Sequence, residues 1–274
     1  MRPDPAPARY AAAVNRALAL IADGEVGSVV LARALDLVAP HPVDATEVLT
    51  QLVHLAGPDV AAFRAGPLVG IADELLVSRH GDRVVSAPLA GTAERSPDPD
   101  EDVRRGRELA ASADLTTHAA AVARVAEVLA PWCDDLAVPA APGLVATDRR
   151  WRLVTRVEGR LRVPRPTALE LAEALRPAAG AWGDPPEVAR AVAGDLGRSG
   201  GTDRGALGDL VGWCDADGDG EWRAVGPCAE VAGRHVRLLA SSLVAAGCRP
   251  EAELAGTGAT FRTLLAAVGI ESMP

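Results

Sequence analysis

The spacing of apolar positions divides the chain into alternating helical and extended stretches. Residues Ala8 to Asp23 repeat Ala, Val and Leu at helical spacing and stop at Gly24, which predicts an opening helix. The run Gly27 to Leu37, GSVVLARALDL, predicts a strand, and helical spacing returns over Asp44 to Leu55. Ala61 to Leu76 predicts two short strands that lead into a hairpin. There the apolar runs Leu75 to Val77 and Val84 to Val85 flank His80-Gly81-Asp82, a turn signal. Pro88 to Thr92 predicts a tight corner after the second arm, and Ser96 to Glu101, SPDPDE, an acidic loop. Val103 to Leu129 reads as helical with one interruption near Asp114. Trp151 to Leu161 alternates like a single strand, and Thr167 to Leu175 reads as a helix capped by Thr167. Arg176 to Pro185 reads as loop and Pro186 to Leu196 as helix. In the last third, Leu210 to Cys214, Glu221 to Val225 and Val236 to Val244 predict strands, and Pro250 to Val268 a closing helix. Antiparallel strands with outlying helices predict an α+β, or mixed α/β, architecture.

Composition narrows this picture. The 274 residues, 49% hydrophobic and 24% charged, describe a folded chain, here expected as a single domain with residues 1–7 as a flexible tail. With only 3% aromatic residues, the core must be built from Ala, Val and Leu. A net charge of −9 and the lack of a basic stripe argue against nucleic acid as a partner. Cys133, Cys214, Cys228 and Cys248 lie far apart with no CxxC spacing, the expectation for reduced thiols in the cytoplasm. No signal-like run opens the chain and no apolar segment is long enough to span a bilayer, so no membrane association is expected.

Two side chains in the hairpin region are candidates for chemistry. Glu74 interrupts an apolar segment, where an ionised carboxylate is costly unless paired or functional. Thr92 follows the Pro and Gly of the expected corner, so a carboxyl and a hydroxyl could converge on one cleft. Asp215 to Gly220, DADGDG, imitates the start of a calcium loop, but its twelfth position is Gly226 and strands flank it, so a hairpin turn is expected. Gly197 to Gly205 is Gly-rich without the lysine of a phosphate loop and reads as a surface loop. His41, His54, His80 and His235 have no ligand spacing and read as surface histidines.

Ala72-Asp73-Glu74-Leu75-Leu76-Val77 matches an S-P-E-L-L-V hairpin, and Pro88-Leu89-Ala90-Gly91-Thr92 matches P-L-A-G-T. On these motifs the chain resembles the chorismate-utilising enzymes, in their isochorismate and salicylate synthase branch. The resemblance implies two stacked antiparallel sheets with helices outside. Members carry a long portion before the helix that here begins near Tyr10, so part of the usual N-terminal half is expected to be lacking. The chemistry it implies moves a hydroxyl on a cyclohexadiene with a base, an acid, Mg²⁺ and carboxylate-binding groups. Carried over residue by residue, the acid is Glu74, while Ser28 stands where the base lysine is expected. The metal carboxylates fall at Thr117 and Gly256, leaving Asp114 and Glu253 as residual carboxylates, with His118 beside the first. The substrate-binding arginine falls at Pro227, the G-A-G amide turn at Ser241-Ser242-Leu243, the tyrosine at Leu207 with Asp209 nearby, and a histidine at Arg176.

These substitutions set the expectation of a protein that has lost the Mg²⁺-dependent reaction: a non-catalytic binder of a small organic acid or of a partner protein, without a cofactor. The alternative expectation is a repurposed, metal-independent isomerase, lyase or cyclase with Glu74 as acid/base. Its pocket would draw on Ser28, Thr92, His118, Arg176, Asp209, Ser241 and Ser242. A shortened sheet leaves edges to cover, so a homo-oligomer is also expected.

Overall fold

The computed structural model describes residues 1–56, 61–72, 74–111, 114–146, 150–200 and 204–270. The chain begins with β1 (Arg2–Asp4), α1 (Pro7–Ala22), β2 (Ser28–Val38), α2 (Ala45–Ala56), β3 (Ala61–Ala65) and β4 (Leu68–Ala72). Then come β5 (Glu74–His80), β6 (Arg83–Ala87), β7 (Leu89–Glu94), α3 (Pro99–Leu109), α4 (Asp114–Leu129), β8 (Cys133–Ala137) and β9 (Gly143–Ala146). β10 (Arg150–Val154), β11 (Val157–Leu161), α5 (Ala168–Ala174), α6 (Ala179–Trp182), β12 (Gly183–Asp184) and α7 (Pro186–Gly200) follow. The last elements are β13 (Leu210–Cys214), β14 (Gly220–Ala224), β15 (Cys228–Ala232), β16 (His235–Ala245) and α8 (Pro250–Ala267). Every described strand pair is antiparallel, as the expected α+β class requires.

The chain divides into two compact units. The first comprises Met1–Asp73, Ala181–Asp209 and Val225–Pro274. Its sheet runs β1-β2-β16-β15-β4-β3, with β12 on the edge of β2. β2 and β16 pair without a break from Ser28↔Ala245 to Val38↔His235. Odd-numbered residues of β2 share one face. Val29 and Leu31 pack there with Tyr10 and Val14 of α1 and with Ala189 and Leu196 of α7. Leu35 and Leu37 pack with Val48 and Leu52 of α2 and with Phe261, Leu264 and Leu265 of α8. Arg33 falls between the two clusters. Val30, Ala32 and Ala34, on the opposite face, are buried as well. A strand covered on both faces reads as a continuous apolar run rather than an alternation, which explains the sequence GSVVLARALDL. Residues 2–4, expected within a flexible tail, instead pair with Ala34 to Asp36 as β1.

The second unit comprises Glu74–Gly180 and Leu210–Ala224. It holds a six-stranded sheet, β13-β14-β5-β6-β11-β8, and a three-stranded one, β7-β10-β9. The β5–β6 hairpin turns where expected, at Gly81, whose φ of 62° suits glycine. Pro88 to Thr92 is not a corner: β7 leaves its neighbour's sheet and pairs with β10. For the same reason Trp151 to Leu161 is two strands, β10 and β11, in different sheets. The acidic loop is shorter than expected because Asp98 caps α3, accepting hydrogen bonds from Asp100 N and Glu101 N. The cap at Thr167 is present as expected, as a reciprocal capping box with Glu170.

The DADGDG segment is a hairpin turn between β13 and β14. Asp215 Oδ1 accepts from Asp217 N and Asp219 N, and the Asp219 carboxylate accepts from Gly81 N. Gly197 to Gly200, expected in a loop, extend α7. His41, His54, His80 and His235 are all exposed, as a surface reading requires.

Candidate functional site

In the second unit, Glu74 is the first residue of β5. Its Cα partner is Ala224 of β14, and the residue is only 7% exposed. Gly180 packs beside the carboxylate. A Cβ at position 180 would stand 3.2 Å from Glu74 Oε2 and 3.4 Å from Leu89 O, so glycine gives the carboxyl group its room. Thr92 lies in β7 opposite Arg152; its side chain is outside the described residues. On α4, His118 is buried, and its Nε2 is 2.7 Å from Thr155 Oγ1 while Nδ1 has no partner. Burial lowers the His118 pKa from its ordinary value, which favours the neutral ring. Thr117 is half-buried on the same helix, and the Asp114 side chain is outside the described residues. Arg176 is exposed, and its carbonyl accepts from Arg124 at 3.1 Å.

In the first unit, Ser28 opens β2 fully buried, with its hydroxyl unpartnered. Ser241 and Ser242 do not form the expected turn. They lie inside β16, opposite Ala32 and Leu31, because the ladder with β2 continues to Ala245. β15 pairs only as far as Leu239, so beyond it no strand is paired on the other edge of β16 among the described residues. Alternate peptide N–H groups of that segment therefore face an open edge. Asp209 is exposed, and Leu207, in the tyrosine's place, is buried. Glu253 is half-buried in the first turn of α8, and a Cβ at Gly256 would meet nothing within 4 Å.

A buried polar group between α1, β2 and α8 escaped the sequence reading. Tyr10 Oη is 2.9 Å from Ser242 Oγ, and Arg33 Nη1 donates to Thr257 Oγ1 at 2.8 Å. The signal was an arginine inside an apolar strand. Tyr10 is the single tyrosine of the chain, and burial pushes its pKa up to about 12, while Ser242 and Arg33 oppose the rise. Between pH ~10 and ~12 the unfolded tyrosine loses its proton and the folded one keeps it, so the unfolded state binds fewer protons. Stability is therefore expected to fall over that window by about 1.4 kcal/mol per pH unit more in the parent than in Tyr10→Phe. Parallel denaturant titrations of the two proteins through the window measure the difference; parallel slopes would disprove it.

A family model described as "Chorismate binding enzyme" matches residues 2–269. The chain belongs to the chorismate-binding enzymes. It is 43% identical to isochorismate synthase DhbC of Bacillus subtilis over 99% of this chain and 70% of that protein. Isochorismate synthase EntC of Escherichia coli is 35% identical over 94% of this chain and 66% of its own length. The solved structure of DhbC from Bacillus anthracis superposes with a TM-score of 0.88 at 38% identity, covering 98% of this chain and 74% of that one. MenF of Escherichia coli, at 22% identity and a TM-score of 0.83, shares the fold.

These relatives overturn the expectation of a non-catalytic protein with a degenerate site, and the alternative of a repurposed isomerase or lyase. Relatives this similar over nearly the whole of this chain, and over 70% and 66% of their own lengths, are named isochorismate synthases. Matching a motif position by position records which side chains differ and does not by itself show that the reaction is lost. The family is Mg²⁺-dependent. Among the described residues no group of three or more His, Cys, Asp or Glu side chains is placed to hold a metal. Glu253 offers a carboxylate, Thr117 only a hydroxyl, and Gly256 nothing. These donors do not fit a Mg²⁺ caged by protein carboxylates. No helix of the described residues is long and apolar enough to cross a membrane.

Proposed function

We propose that the protein is an isochorismate synthase acting on chorismate. The observation that carries the reading is 43% identity over 99% of the chain to a relative of that name, together with the retained and buried Glu74. Glu74 protonates the departing hydroxyl. Neutral His118, anchored by Thr155, keeps α4 in place. The free thiols of the described cysteines agree with a cytoplasmic setting.

Incubation with chorismate, in parallel with and without Mg²⁺, followed by product separation, tests the reading. Isochorismate above the rate of the protein-free control in either arm supports it. Absence of isochorismate from both arms overturns it.

A further inference from the structure

Arg33 is 5% exposed, and among the described residues no carboxylate lies within ion-pair distance of it. Its guanidinium carbon sits 5.0 Å from the Tyr10 ring centroid and 5.5 Å from that of Phe261, and Nε has no partner. The fully satisfied polar contact is Nη1 to Thr257 Oγ1 at 2.8 Å. The Thr257 hydroxyl is in turn 3.1 Å from the carbonyl oxygens of both Glu253 and Leu254. A buried cation costs desolvation that an apolar side chain of similar length would avoid. The two aromatic faces offset part of that cost. Methionine would fill the seam between the two core clusters at least as well, so packing alone does not account for an arginine here.

We propose that Arg33 is a positioning residue. Through Thr257 it holds the first turn of α8, and with it Glu253, in one orientation for binding the substrate. This rests on the reading of the protein as an isochorismate synthase only for its effect on turnover; the effect on α8 stands without it. The geometry explains the choice of residue. Only a long cationic donor reaches from the middle of β2, between α1 and α8, to a hydroxyl one helical turn beyond Glu253. The fixed donor fork of arginine then sets the direction of the bond.

Three variants test the proposal: Arg33→Met, Arg33→Lys, and Thr257→Val, which removes the hydroxyl and keeps the shape. Amide hydrogen exchange is compared over residues 250–258 and over residues 261–267 of α8. Exchange in the first segment is expected to quicken at least tenfold in Arg33→Met and Thr257→Val, with the second segment unchanged. Arg33→Lys is expected to fall between the parent and Arg33→Met. Unchanged exchange in residues 250–258, or an equal rise across both segments, would overturn the proposal, because the arginine would then be packing only. If chorismate is converted, Thr257→Val is expected to raise KM severalfold with kcat nearly unchanged. A fall in kcat at constant KM would overturn the assigned role in binding. Loss of exchange protection in a protein that never converts chorismate would leave the positioning of α8 supported and the assigned enzymatic activity refuted.

Discussion

Chorismate conversion by Glu74→Gln is expected to fall by roughly 10²–10⁴-fold, the contribution typical of a positioned general acid. The leaving hydroxyl must acquire a proton as its bond to carbon breaks, and a carboxyl group supplies one while an amide cannot. Glutamine keeps the length and planarity of the side chain, so the close approach of Gly180, 3.2 Å from Glu74 Oε2 to a notional Cβ, is undisturbed. The fold should therefore survive, and thermal unfolding of the variant alongside its kinetics separates chemistry from structure. A loss in kcat with an unchanged melting temperature is the expected result. If Glu74→Gln retained activity within threefold of the parent, the proton would come from elsewhere and the assignment would fall. A large drop in melting temperature would instead mark Glu74 as a structural partner inside the second unit.

Glu74 was legible in the sequence for a physical reason: a carboxylate that interrupts an apolar segment has to be explained. The same logic applied to Arg33 in GSVVLARALDL would have exposed the polar group around Tyr10, Ser242 and Thr257. Long elements with a clear period were legible too. α1, β2, α2, α5 and α8 appear within a residue or two of their expected ends, since their caps, prolines and glycines are local signals. Sheet membership was not legible, because it depends on which distant strand is nearest. Trp151 to Leu161 alternates evenly, yet its two halves join different sheets at Thr155-Arg156. Short edge strands such as β8 and β9 carried too few residues to show a period. The G-A-G position illustrates the remaining gap. The turn expected there follows from the resemblance alone, whereas Ser241 and Ser242 obey the register of β16 against β2.

The second large effect is expected at Gly183, where β12 closes on the start of β2. Its φ of 117° lies where side chains are rarely tolerated, and a Cβ there would overlap Ser28 O and stand 2.6 Å from Ser28 C and 2.7 Å from Val29 Cα. All three are backbone atoms, so no side-chain rotation relieves the clash. Gly183→Ala must part β12 from β2, which also strains the bond from Gly27 N to Asp184 O at 2.7 Å. Backbone strain and overpacking together are expected to cost roughly 2–5 kcal/mol. At ~2–4 °C per kcal/mol for a chain of this size, the melting temperature should drop by roughly 5–20 °C. Gly24→Ala is the matched control: it also sits at positive φ, 74°, but a Cβ there meets nothing within 4 Å, so it carries the conformational cost without the clash. A Gly183→Ala protein as stable as the Gly24→Ala control would show that β12 is not held against Ser28.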